Sequence, residues 1–212
     1  LSFNHSPIHS FKSMLIVLSS PVSIANEAQY INSLFNTGLE VFHLRKPESK
    51  AVEVEYLLKN IEEKYHPQIA IHQHHHLATH FAISRLHYTE LLRNDTNDKT
   101  LNQYVENGFI LSTSIHDLKT YKAIGNQFSY SFIGPLFNSI SKKGYHANAD
   151  LAFQKNKEII GKAKLIAIGG IDETNIATIK GLNYTGAAIL GAIWNKPPHG
   201  VSTFKKIQAL WI

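Results

Sequence analysis

Apolar residues recur along this chain in two alternating kinds of stretch. Short runs rich in β-branched and aromatic residues occupy 14–18, 39–44, 68–72, 85–88, 109–113, 130–133, 164–168 and 186–190. Between them lie longer amphipathic segments with helical spacing, at 24–35, 51–64, 77–83, 99–107, 118–124, 150–160, 173–180 and 204–210. Strands separated by helices imply parallel pairing, because a crossover must return the chain to the same sheet edge. Eight such units in 212 residues predict an α/β fold, a single-domain (β/α)8 TIM barrel. A doubly wound open sheet is the competing arrangement, and it would carry a Gly-rich phosphate loop after its first strand. Ser19, Ser20, Pro21, Val22 and Ser23 stand there instead, so the barrel is preferred.

Composition narrows the chemistry. The chain has no cysteine, which excludes disulfides, iron–sulfur clusters, thiolate zinc sites and cysteine nucleophiles, and suits a cytoplasmic protein. The apolar run at 14–18 is too short for a membrane span and makes a poor signal-peptide core. Met14 is the sole methionine, so 1–13 is expected to be an extension outside the fold, with the barrel over 14–212. The net charge of +5 is spread along the chain without a basic, aromatic-interleaved helix, so neither nucleic acid nor membrane is expected as a partner.

In a closed parallel barrel the chemistry sits at the carboxyl ends of the strands. The second strand ends in His43-Leu44-Arg45, whose alternation puts His43 and Arg45 on one face. Arg45 offers a fork of donors suited to phosphate oxygens, or a partner for an acid in a neighbouring loop. The fifth strand leads to Ser114-Ile115-His116-Asp117. His116 there is a candidate acid/base group, with N-capping by Ser114 or Asp117 as the plainer alternative. The loop after the sixth strand carries Ser139, Ser141 and Lys142, suited to phosphate or to an ordinary surface loop. Gly169 and Gly170 follow the seventh strand and Gly191 the eighth, where backbone N–H groups can approach a phosphate closely.

His72, His74, His75, His76, His80 and His87 cluster around the third and fourth strands, and the pairs 72/74 and 76/80 have ligand-like spacing. No Asp or Glu occurs from Gln68 to Thr89 to complete a site, so no metal is expected. His72 and His87 are instead expected as pocket residues.

Taken in order, these strand ends resemble the thiamine phosphate synthase and TenI (thiazole tautomerase) family of (β/α)8 barrels. The likeness rests on Phe42-His43-Leu44-Arg45-Lys46-Pro47, Arg85-Leu86-His87-Tyr88, Ser114-Ile115-His116, the segment from Gly134-Pro135-Leu136-Phe137 to Lys142, and Ala167-Ile168-Gly169-Gly170-Ile171. It runs from Met14 to about Ile193. The resemblance implies a small phosphorylated heterocycle as substrate. Family members are often oligomers, and homo-oligomerisation stays open.

Two departures separate the branches of that family. Synthases, which join a pyrimidine pyrophosphate to a thiazole phosphate with Mg²⁺, carry Asn-Asp after the third strand and a second Asp after the fourth. His72-Gln73 and Leu92 stand at those positions, with Asp95 three residues beyond the second. An amide is a poor substitute, because a hard dication prefers charged oxygen ligands. Lys46, Arg93 and Lys143 are the cations that could stand in for the metal. The TenI branch needs only a phosphate anchor and an acid/base group, which the resemblance assigns to His116. The expected function is therefore a thiazole tautomerase without a cofactor. A Mg²⁺-dependent synthase and a non-catalytic thiamine-phosphate-binding regulator are the alternatives.

Overall fold

The computed structural model describes residues 14–138, 163–180, 182 and 184–211. Eight strands, β1 (Met14–Leu18), β2 (Val41–Leu44), β3 (Ile69–Ile71), β4 (Arg85–Tyr88), β5 (Ile110–Ile115), β6 (Phe128–Ile133), β7 (Lys164–Ile168) and β8 (Gly186–Ile189), pair in sequence order as a closed barrel. Every pair is parallel, and Leu15↔Ala187 and Ile16↔Ala188 join the last strand to the first. The predicted (β/α)8 barrel is the observed fold.

The described helices are α1 (Glu27–Asn36), α2 (Ala51–Asn60), α3 (Glu90–Asp95), α4 (Asp98–Glu106), α5 (Leu118–Ala123), α6 (Ile176–Lys180), α7 (Gly191–Trp194) and α8 (Pro197–Trp211). Several predicted helices differ at their ends, 173–180 starting at Ile176 and 204–210 already at Pro197, and two others are cut back. The one expected over 51–64 stops at Asn60, because Ile61 turns extended and buries its side chain. The one expected over 77–83 is a single 3-10 turn, His75–Leu77, bounded by left-handed backbone at His74 and Ala82. The segment predicted at 150–160 lies outside the described residues.

Strand alternation sorts the core into two compartments. Outward-facing residues such as Val17, Phe42, Ile71, Leu86, Leu111 and Ile133 pack under the helices. Inward-facing Ile16, Leu18, Val41, Tyr130, Phe132, Ile166 and Ala188 fill the barrel. Above and beside them this interior turns polar, with His43, His87 and Ser112 all buried. A barrel interior is a packed core, so polar groups there must find their partners within it.

One buried ion pair braces the rim. Lys46, just past β2, donates to both carboxylate oxygens of Glu27 at 2.6 and 2.7 Å and to Val22 O at 2.9 Å. Burial pushes the Glu27 carboxyl up and the Lys46 ammonium down, against their mutual attraction. Desolvation therefore offsets much of the Coulombic gain, and the pair is worth most as a matched set. Lys46→Ala, which strands Glu27, is expected to destabilise the protein by about 3–5 kcal/mol. Glu27→Leu with Lys46→Met should cost far less. Urea unfolding checks this, and equal losses in the single and double variants would refute it.

Candidate active site

A cavity of about 550 Å³ opens at the carboxyl end of the barrel. Its polar lining includes Arg45, Ser114, His116, Ser20, Asn195 and the glycines Gly134, Gly169, Gly170 and Gly191, set against apolar walls from Leu18, Pro21, Val22, Ile168 and Leu190. This combination suits a small, partly apolar molecule carrying negative charge. A second cleft of about 590 Å³ lies between α1 and α2, but its Lys46 and Glu27 neutralise each other.

Arg45 is fixed at its backbone: its N–H donates to Ser19 Oγ at 2.8 Å, and that hydroxyl donates back to Arg45 O at 2.9 Å. The end of β1 thus holds the end of β2 in place, with Arg45 lining the cavity. Two turns bring the glycines in. Leu136 N donates to Ile168 O and Phe137 N to Gly169 O, pressing the loop after β6 against the loop after β7. A Cβ on Gly170 would lie 2.3 Å from Asn138 O, and the residue adopts φ +64°, so only glycine fits there without strain.

His116 stands at the junction of β5 and α5, where Asp117 caps the helix by accepting from Thr120 N at 2.7 Å. Asp117 is therefore the cap, as one sequence reading had it, and His116 lines the cavity. His116 Nδ1 faces Gly134 O at 3.4 Å. A carbonyl has no proton to give, so Nδ1 is the donor and the Nε2 lone pair is left for chemistry. Glu90 Oε2 lies 3.8 Å from that Nε2. Arg93 orients Glu90 from behind, with Nη2 at 3.2 Å from Glu90 Oε1 and Nη1 donating to Thr113 Oγ1 and Ser114 O at 2.8 Å.

Beneath the cavity, three histidines interlock. His43 Nδ1 meets His72 Nε2 at 2.9 Å, and His43 Nε2 meets Tyr130 Oη at 2.7 Å. His87 reaches Ser112 Oγ through Nδ1 and Ser114 Oγ through Nε2, each at 2.9 Å. Burial holds His43 and His72 well below the usual imidazole range and brings His87 down to about 3, so all three are neutral at pH 7. One ring nitrogen from each lies within 4.8 Å of the other two, the spacing of a metal cluster. Yet the His72 and His87 rings stack at 3.9 Å and 22°, which sets their in-plane lone pairs side by side instead of converging.

Of the residues singled out in the sequence, Arg45, Ser114, His116, Gly169, Gly170 and Gly191 come together around one cavity. His43, His72 and His87 lie buried below it, joined to it through Ser114. His74 and His75 spend Nε2 on backbone carbonyls, of Ser49 and His87 respectively. Ser139, Ser141, Lys142 and Lys143 lie outside the described residues. The sequence reading missed Glu90, Glu27, Ser112 and Tyr130. Strand parity shared with Ser114 and His87 could have pointed to Ser112 and Tyr130; nothing local marked Glu90.

Residues 14–193 match the family described as "Thiamine monophosphate synthase". Among solved structures, a thiamine phosphate pyrophosphorylase from Bacteroides thetaiotaomicron is 29% identical, with a TM-score of 0.74 over 93% of this chain and 96% of that one. A thiamine phosphate pyrophosphorylase from Pyrococcus furiosus aligns over 94% of this chain and 96% of that one with a TM-score of 0.75, at 13% identity. A 3-keto-L-gulonate-6-phosphate decarboxylase from Vibrio cholerae aligns with a TM-score of 0.63 over 94% of this chain and 97% of that one, at 10% identity. At such identities the last two show the fold alone. Among curated protein sequences none matches. With the family match spanning most of the chain and the barrel and its rim in register with it, this protein belongs to the thiamine monophosphate synthase family.

Proposed function

We propose that this chain is a TenI-like thiazole tautomerase, acting on a thiazole phosphate carboxylate by general acid/base proton transfer. The observation that carries the reading is the His116–Glu90 pair at the mouth of a cavity whose lining, among the described residues, includes no carboxylate. At the synthase metal positions stand His72, Gln73 and Leu92. Gln73 Oε1 is taken up by Lys46 N at 3.0 Å, and His72 is committed to His43. Leu92 is outside the cavity lining, and Lys46 and Arg93 are both engaged in ion pairs. Among the described residues these groups do not fit a hard dication.

In this reading His116 Nε2 takes the proton from one position of the heterocycle and returns it at another, leaving the aromatic tautomer. Glu90 stabilises the imidazolium in between. Backbone groups at Gly169, Gly170 and Gly191, with Ser139, Ser141 and Lys142, anchor the phosphate, and Arg45 binds the second anionic group. The apolar walls orient the ring so that the proton transfer is intramolecular in effect.

A second reading, the synthase, is favoured by the Bacteroides thetaiotaomicron protein, whose name is thiamine phosphate pyrophosphorylase. Titration calorimetry separates the two. Thiazole phosphate carboxylate should bind, and pyrimidine pyrophosphate should not bind in an Mg²⁺-dependent way. Mg²⁺-dependent pyrophosphate binding would overturn the tautomerase and favour the synthase.

A further inference from the structure

We propose that Lys46, held by Glu27, is a positioning residue that fixes the segment between β1 and α1 as the apolar lip of the active-site cavity. It thereby sets which ligands fit against that wall. The inference rests on the proposed function for its substrate, and its first readout needs no turnover.

The lip is a short piece of chain without regular structure. Residues 19–26 run from the end of β1 to the start of α1 in neither strand nor helix. Ser20, Pro21, Val22 and Ile24 of this piece line the cavity. Val22 is 63% exposed, so little packing holds it. An exposed loop of this kind moves unless a hydrogen bond ties it down.

Two ties fasten it to the neighbouring strand. At its start, Ser19 N donates to His43 O at 2.9 Å, and Ser19 Oγ exchanges hydrogen bonds with the Arg45 backbone. Further on, Lys46 Nζ donates to Val22 O at 2.9 Å. The bond from Val22 N to Ser20 Oγ, at 3.3 Å, is internal to the segment and anchors it to nothing else.

Lys46 is built for this contact. An ammonium has three donors. Here they meet three acceptors, Glu27 Oε1 at 2.7 Å, Glu27 Oε2 at 2.6 Å and Val22 O at 2.9 Å. None is left for a ligand. The Lys46 backbone N–H donates to Gln73 Oε1 at 3.0 Å, so the residue is also fixed from the end of β3. Arg45 and the lip are therefore set from adjacent residues of one strand end. Well-packed apolar side chains could brace the fold about as well as this buried ion pair. What they could not supply is a donor to Val22 O.

There is also room behind the lip. The cleft of about 590 Å³ between α1 and α2 is lined by Ile24, Glu27 and Lys46, and Ile24 lines the active-site cavity as well. The lip thus divides two spaces and can recede into the second once Lys46 lets go.

Glu27→Leu with Lys46→Met separates the tether from the brace. The double variant costs far less stability than the loss of Lys46 alone, yet removes the donor to Val22 O. Backbone ¹⁵N order parameters of Val22, Ser23 and Ile24 in the ligand-free protein should be about 0.85 in the parent and below about 0.6 in the double variant. By calorimetry, Kd for thiazole phosphate carboxylate should rise about tenfold, because a loose lip must be ordered on binding, with kcat within about twofold. Kd for inorganic phosphate, too small to reach the apolar lip from the glycine turns, should stay within about twofold. Unchanged order parameters and thiazole affinity in a folded double variant would overturn the tether and leave the pair a brace alone. Equal weakening of both ligands would overturn it too, since the damage would not be confined to the lip. If the double variant fails to fold, Val22→Ser at its exposed position should raise Kd for the thiazole ligand about three- to tenfold, and no change there contradicts the lip. A parent protein that neither binds nor turns over the thiazole ligand would refute the proposed function, while the order parameters would still decide the tether.

Discussion

Replacing His116 by alanine is expected to lower kcat for tautomerisation by about 10²–10⁴-fold, the usual contribution of a positioned acid/base group. That corresponds to roughly 3–5 kcal/mol of barrier. Binding should change little. The imidazole is 61% exposed and its contact with Gly134 O is long, at 3.4 Å, so folding does not depend on it. Folding stability should stay within about 0.5 kcal/mol of the parent, as for other exposed positions. Glu90→Gln should give a smaller loss, because the amide keeps the shape but removes the charge facing Nε2. Single-turnover kinetics alongside calorimetry separate proton transfer from binding. If His116→Ala weakens binding as much as it slows turnover, the residue is a binding group and the acid/base assignment fails.

Acid is expected to unfold this protein unusually steeply. In the folded state His43 and His72 are held well below the ordinary imidazole range and His87 is near 3, all through burial. In the unfolded chain each returns to about 6.5. Between those values the unfolded state binds protons that the folded state refuses, so stability is full above about pH 6.5 and falls as the pH drops below it. Each imidazole contributes up to about 1.4 kcal/mol per pH unit, and the three together about 4. A domain with about 5–15 kcal/mol in hand would exhaust that margin within a few pH units. Urea unfolding at intervals from pH 7.5 to 4.5 reads the slope. A flat profile from pH 7 to 5 would mean that these rings accept protons in the folded state. His87→Asn should remove about a third of the slope while leaving its direction.

The barrel was legible because strand and helix periods differ and each strand is bounded by polar residues. β1, β4 and β7 fall at the predicted residues, and β2, β3, β5 and β8 differ only by a residue or two at their ends. Helix α3 was invisible for a physical reason. It is a six-residue helix with Leu91 exposed and no buried face, held by Thr89 Oγ1 accepting from Leu92 N. Periodicity detects burial, and there is none to detect. The rim residues Arg45, Ser114 and His116 were legible because alternation and strand ends fix their direction. Their neighbours were not. Glu90 comes to His116 from a different strand's loop, and Tyr130 reaches His43 across the barrel, 87 positions away in sequence. Such pairings depend on barrel closure, which no local window encodes. His43, His72 and His87 show the same limit: sequence marked them as site residues, but only the closed barrel puts them below the cavity, behind Ser114.

The most direct test of the account is turnover of the non-aromatic thiazole phosphate carboxylate tautomer, followed by proton NMR in buffer containing EDTA. The parent protein is expected to form the aromatic tautomer at the same rate with EDTA as with added Mg²⁺, and His116→Ala is not. No turnover of this substrate by the parent protein, together with Mg²⁺-dependent coupling of pyrimidine pyrophosphate to thiazole phosphate, would contradict it.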